Sequence, residues 1–76
     1  MERKSYGNHS GNSPIRSYAA SASSIRIWFE DGGIYEYDDS RPGHEHVQAM
    51  MRLAEQGNGL ATYINRHVRK NYARKL

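Results

Sequence analysis

Apolar and polar residues alternate from Ser24 to Asp38, SIRIWFEDGGIYEYD. A period of two is the mark of β-strands with one buried face. Ile25, Ile27 and Phe29 take one side, while Arg26, Trp28 and Glu30 take the other. Beyond the glycines, Tyr35 and Tyr37 alternate with Ile34, Glu36 and Asp38. The pattern predicts a β-hairpin. A two-residue loop would set Ile27 and Phe29 on the face of Glu36. A loop of Asp31, Gly32 and Gly33 instead pairs Phe29 with Tyr35, Ile27 with Tyr37, Arg26 with Asp38 and Trp28 with Glu36. That loop supplies Gly33 for the left-handed position such turns need.

On either side the pattern is weaker or changes period. Residues 1–13, MERKSYGNHSGNS, are too poor in apolar side chains to bury anything and read as a disordered arm. Pro14 opens the folded domain, 14–73. Ile15 to Ala20 is expected as a strand, with Ile15, Ser17 and Ala19 on one face and Arg16, Tyr18 and Ala20 on the other. Ser21 to Ser24 turns the chain into the hairpin. From His44 to Gln56, Val47, Met50, Met51 and Ala54 fall at i, i+3, i+4 and i+7, broadened by Leu53, which predicts an amphipathic helix. Ser40 or Asp39 is its expected N-cap, Pro42 lies in its first turn, and Gly57 and Gly59 stop it. Leu60, Ile64, Val68 and Tyr72 then recur every four residues as the seam of a second helix. Tyr63 and His67 pair at i, i+4 on its flank. Residues 74–76 form a basic tail. The expected fold is α+β: a three-stranded antiparallel meander with two C-terminal helices packed on the face of Ile25, Ile27, Phe29, Tyr35 and Tyr37.

At 76 residues, with two prolines and no cysteine, the chain makes one small domain. It has no thiol for metal binding, disulfides or nucleophilic catalysis. No apolar run is long enough for a membrane span, and none near the N-terminus suits a signal peptide, so a soluble cytoplasmic protein is expected. The net charge of +3 conceals a polarity. Residues 24–58 hold three arginines against seven acids; residues 59–76 hold Arg66, Arg69, Lys70, Arg74 and Lys75 and no acid. This points to an anionic partner at the C-terminal end.

The series Ile15…Tyr18, Ile25-x-Ile27-x-Phe29, Gly33, Tyr35-x-Tyr37, Pro42, a helix, a glycine turn and Asn65…Val68…Tyr72 resembles the KTSC domain. This small bacterial family is named for its occurrence at the C-terminus of some lysyl-tRNA synthetases. The resemblance covers Ser13 to Tyr72. Arg41, where the family carries an apolar residue, and the turn Asn58-Gly59-Leu60 depart from its pattern. The resemblance implies a stand-alone β-plus-α domain and a link to nucleic acid through the synthetase association.

Two surfaces are candidates for RNA or DNA. Arg66, Arg69, Lys70, Arg74 and Lys75 could contact phosphates, the competing reading being a solvated face complementing a helix C-terminus. On the reverse of the sheet, Arg16, Tyr18, Arg26 and Trp28 combine stacking rings with guanidinium groups, as single-strand binders do. Glu30, Glu36 and Asp38 on that face oppose phosphate, and cross-strand packing is the alternative. Trp28, Ile34 and open sheet edges suit a protein-interaction or homodimerisation module instead. His44 and His46, two residues apart, make a poor metal clamp on a helix, and His9 lies in the arm. No catalytic triad, phosphate-cradling glycine loop or carboxylate pair in a cleft is present. The expectation is a non-enzymatic binding domain with no cofactor, metal or small-molecule substrate.

Overall fold

In a computed structural model, which describes residues 2–9, 11 and 13–76, the chain forms an α+β domain. Its antiparallel sheet has five strands in sequence order. The strands are β1 (Arg3–Ser5), β2 (Ile15–Ala20), β3 (Ser24–Phe29), β4 (Ile34–Asp38) and β5 (Arg74–Lys75). Two helical segments cover one face. Helix α1 spans His44–Gln56, and α2 (Leu60–Tyr63) runs on into a π-helical stretch, Ile64–Val68. The sheet therefore has two more strands than the meander expected from alternation.

The hairpin closes on a three-residue loop, but one position earlier than expected. Phe29 donates its N–H to the Gly33 carbonyl at 2.9 Å, and Gly32 donates to the Phe29 carbonyl at 3.0 Å. Gly32, not Gly33, holds the left-handed conformation, with φ 93°. The Asp31 carboxylate accepts the Gly33 N–H at 2.8 Å and fixes the turn. Arg26 thus faces Glu36 rather than Asp38, Trp28 faces Ile34 rather than Glu36, and Ile27 and Ile25 face Tyr35 and Tyr37. The register moves by two, so the faces are unchanged. Ile25, Ile27 and Tyr37 still point into the core.

Strand β2 departs further. The pairing steps from Ile15–Phe29 directly to Ser17–Trp28, leaving Arg16 as an extra residue, a β-bulge. Alternation reverses across it. Tyr18 turns to the helix side, pairs with Ile27 and is buried at 7% exposure, while Ser17 and Ala19 go to the reverse face. The placement of Tyr18 beside Arg26 and Trp28 is overturned by that one inserted residue.

The arm is tied down over much of its described length; Met1, Ser10 and Asn12 lie outside the described residues. Arg3, Lys4 and Ser5 pair with Ala19, Tyr18 and Ser17. Tyr6 is buried, and its hydroxyl accepts the Leu60 N–H at 3.2 Å, satisfying a free donor at the start of α2. The His9 N–H donates to the Gly57 carbonyl at 2.8 Å. Gly57 ends α1 at φ 73°, and a Cβ there would come within 3.0 Å of the Gly7 Cα. Glycine is required at 57 both by its backbone and by the arm lying across it.

Helix α1 begins and ends where its periodicity places it. Val47, Met50 and Ala54 are buried, with Met51 and Leu53 half-buried. Its N-cap is Gly43, with no side-chain cap. The expected caps act in the preceding turn instead: the Ser40 hydroxyl and the Ser40 and Arg41 N–H groups all donate to the Asp38 carboxylate, while Asp39 sits beside His44. The second helix is shorter than its seam. Leu60, Ile64 and Val68 are buried, but helical structure stops at Val68. Tyr72 reaches the sheet from the following turn and packs on Tyr35 and Tyr37, at centroid distances of 4.9 and 6.5 Å. Among the described residues no helix is long and apolar enough to cross a membrane.

Because Tyr6 fills a core position, Tyr6→Ala is expected to lower unfolding free energy by about 3 kcal/mol, measured by urea denaturation. A change below about 0.5 kcal/mol, usual for a free surface position, would show the arm to be unpacked.

Candidate nucleic-acid interface

The register of β3 and β4 sets one row of side chains across the reverse face of the sheet. Arg3, Ala19, Arg26, Glu36 and Arg74 face one another on successive strands. Glu36 lies in this row at 5% exposure. Its Oε1 accepts from Arg26 Nε at 3.0 Å and Nη2 at 2.7 Å, and its Oε2 accepts from Arg74 Nη1. A second Arg74 nitrogen lies 3.8 Å from Asp38 Oδ2. A buried carboxylate is tolerated only when its charge is matched and its lone pairs are filled. Both conditions hold here.

This arrangement changes the expected interface. Arg26 and Arg74 direct their guanidinium groups at Glu36 instead of solvent, and Arg74 anchors β5 to β4 in doing so. Trp28 is half-buried, with the Arg3 guanidinium over its ring at 4.5 Å and that of Arg26 at 6.0 Å. Tyr18 is on the opposite side of the sheet, and Arg16 stands on the bulge near the β1 edge. The quartet of Arg16, Tyr18, Arg26 and Trp28 is therefore not one surface. The edges expected to invite strand addition are taken by β1 and β5, of three and two residues. Both are short and basic, the usual guard against edge pairing.

The helix side gathers a different set. Between the hairpin turn and the π-helical stretch lies an open groove of about 470 Å³, bordered by Phe29, Asp31, Tyr35, Tyr37, Ile64, Asn65, Arg69, Lys70 and Tyr72. Phe29 and Tyr35 meet edge to face at 5.6 Å, and Tyr35 contacts Tyr72. Arg69 and Lys70 are exposed at the rim. Lys75 adjoins from β5, its ammonium 5.7 Å from the Tyr35 ring. Of the five residues in the basic C-terminal set, Arg69, Lys70 and Lys75 thus border the groove or its ring wall. Arg66 is exposed but not among the lining residues, and Arg74 is held by Glu36. Phe29, Tyr35, Tyr37, Asn65 and Tyr72, which carry the motif spacing, converge here from β3, β4, the π-helical stretch and the segment after it. Alternation assigned Phe29, Tyr35 and Tyr37 to the platform for the helices, and the four-residue spacing assigned Tyr72 to the seam of the second helix; neither pattern gives the cover that leaves Phe29, Tyr35 and Tyr72 partly exposed.

Tyr37 sits beneath the groove at 1% exposure. Burial, reinforced by the neighbouring Tyr35 and Tyr72, pushes its phenol up to about 12. On α1 and α2, His46 Nδ1 is 2.7 Å from the Tyr63 hydroxyl, and Tyr63 stacks on His67 at 4.6 Å. His44 Nδ1 lies 3.1 Å from the Asp39 carboxylate. Among the described residues, no group of three or more His, Asp or Glu side chains is placed to hold a metal ion. In comparisons with known proteins, the chain matches no family model, no curated protein and no solved structure.

The Tyr37 environment has a pH signature. Its folded-state pKa lies above the ordinary phenol value of 10, so the neutral form is favoured by folding. Its contribution is fully present below pH 10 and is lost as pH rises towards 12. Stability measured by denaturant midpoint should fall over that interval. Tyr37→Phe should flatten the fall, and an unchanged slope in the variant would contradict the assignment.

Proposed function

We propose that the protein is a non-enzymatic binding domain for single-stranded nucleic acid, with the groove of Phe29, Tyr35 and Tyr72 as its seat. The observation that carries the reading is the meeting of half-exposed aromatic rings with cations around one groove, with Arg69 and Lys70 on the rim and Lys75 alongside. Rings of this kind stack bases without regard to sequence, and basic side chains alongside hold the phosphates. Asn65 in the groove offers both a donor and an acceptor to a base edge. The resemblance to the KTSC domain, with its synthetase association, supports the same ligand class. Arg66 and the rest of the C-terminal charge add long-range attraction to a polyanion.

The interface is smaller than the one expected from sequence, because Arg26 and Arg74 are engaged by Glu36. A protein-interaction role through Trp28 has less support, since Arg3 covers its ring and short charged strands occupy both edges.

Fluorescence anisotropy with labelled single-stranded RNA and DNA tests the proposal. Tyr72→Ala should weaken binding by about 1–3 kcal/mol, the worth of one stacked base. Arg69→Ala with Lys70→Ala should lower the salt dependence by about two phosphate contacts. Arg16→Ala, remote from the groove, should leave the affinity of a 5′-hydroxyl strand within about twofold. No saturable binding at low salt would overturn the reading.

A further inference from the structure

At the opposite edge of the sheet, β1 and the β2 bulge enclose a shallow cavity of about 350 Å³, bordered by Arg3, Lys4, Ser5, Arg16 and Ser17. Its charged side chains are the two guanidinium groups of Arg3 and Arg16, and its other polar side chains are the hydroxyls of Ser5 and Ser17, while Lys4 contributes backbone and, opposite Tyr18, turns its ammonium to the helix side. Among the described residues that line it, none is acidic. Arg3 is held before any ligand arrives. Its guanidinium lies over Trp28 at 4.5 Å, and its Nε donates to the Ser17 hydroxyl at 2.7 Å. That contact uses one of five donors and leaves the two Nη groups available. Arg16 is aimed by the bulge. As the unpaired extra residue of β2 it escapes the alternation, and its side chain is exposed at the same cavity. Its own carbonyl accepts the Tyr6 N–H at 3.1 Å, which fixes the backbone between the two strands.

We infer that this cavity is an oxyanion site that takes the dianionic phosphate of a phosphomonoester, with Arg3 and Arg16 as its principal ligands. Guanidinium forks match the paired oxygens of phosphate, and two guanidinium groups with no acid among the described lining residues balance two negative charges better than the single charge of a phosphodiester. The Ser5 and Ser17 hydroxyls can complete the shell as donors. The Lys4 ammonium has no part in it, because that side chain lies on the helix side, in a second cavity bordered by Glu2, Tyr18 and Glu55. The site is independent of the groove. It lies at the β1 edge, whereas the groove lies between β4 and the π-helical stretch.

Titration of the full chain with inorganic phosphate at pH 7.5 and constant ionic strength, followed by ¹H–¹⁵N NMR, tests it. Saturable shifts are expected at the amides of Arg3 to Ser5, Arg16 and Ser17, at concentrations on the order of millimolar. Dimethyl phosphate, a singly charged diester, should bind at least several-fold more weakly. Arg16→Glu should weaken phosphate binding by about tenfold or more, and the milder Arg16→Ala gives the same direction if the reversal perturbs folding. Arg69→Ala with Lys70→Ala should leave these shifts unchanged. A 5′-phosphorylated oligonucleotide that shifts these amides more than its 5′-hydroxyl counterpart supports a nucleic-acid end as the source, and equal shifts support a free phosphomonoester. Absence of saturation, equal affinity for the diester, or an unaltered response in both Arg16 variants would overturn the inference.

Discussion

The closure of the β3–β4 hairpin at Phe29 and Gly33 is the constraint on which the rest of the sheet depends. Gly32 accepts the left-handed conformation that the three-residue loop requires, and the Asp31 carboxylate holds the Gly33 amide beside it. Once the loop is fixed, Glu36 must lie opposite Arg26. A carboxylate so placed needs more than one cation to be buried, and Arg74 supplies the second. The last strand is thus attached to the fourth through an ion pair as well as backbone bonds. The same register sets Ile27 against Tyr35 and Ile25 against Tyr37, and so places the rings that the helical segments leave partly uncovered.

A second device acts at the other edge. The bulge at Arg16 moves Tyr18 from the reverse face into the core and pushes Arg16 outward. Meanwhile β1 covers the edge of β2, and Tyr6 and His9 carry the chain across to the junction between α1 and α2. The two basic regions are separated by these arrangements. Arg26 and Arg74, central to the reverse face, are engaged by Glu36, while Arg69, Lys70 and Lys75 stand at the groove and Arg3 and Arg16 at the β1 edge. The net charge alone would not distinguish this from a uniformly basic sheet.

Much of the framework was legible. Alternation located β2, β3 and β4, the i, i+3, i+4, i+7 spacing located α1, and the buried face of the hairpin followed from parity, which survives a register error of two. Strands β1 and β5 were not legible because Arg3-Lys4-Ser5 and Arg74-Lys75 carry no apolar residue; neighbouring strands and the Glu36 ion pair specify them. The bulge was hidden because one inserted residue leaves each half of Ile15–Ala20 correctly patterned. A lone tyrosine among Gly, Asn and Ser was the one signal that the arm contributes to the core. For the proposed site, charge singled out Arg69, Lys70 and Lys75, which the fold places beside the groove. It could not reveal that Arg26 and Arg74 are engaged, since that depends on a two-residue difference in register.

The proposed binding belongs to the helix-side groove and not to the Trp28 face. Mapping amide and side-chain NMR shifts during titration with a short 5′-hydroxyl single-stranded RNA tests it most directly. The largest changes are expected at Phe29, Tyr35, Asn65, Arg69, Lys70 and Tyr72, with the Trp28 indole signal unmoved. Changes centred on Trp28, Arg26 and Ala19 would contradict it.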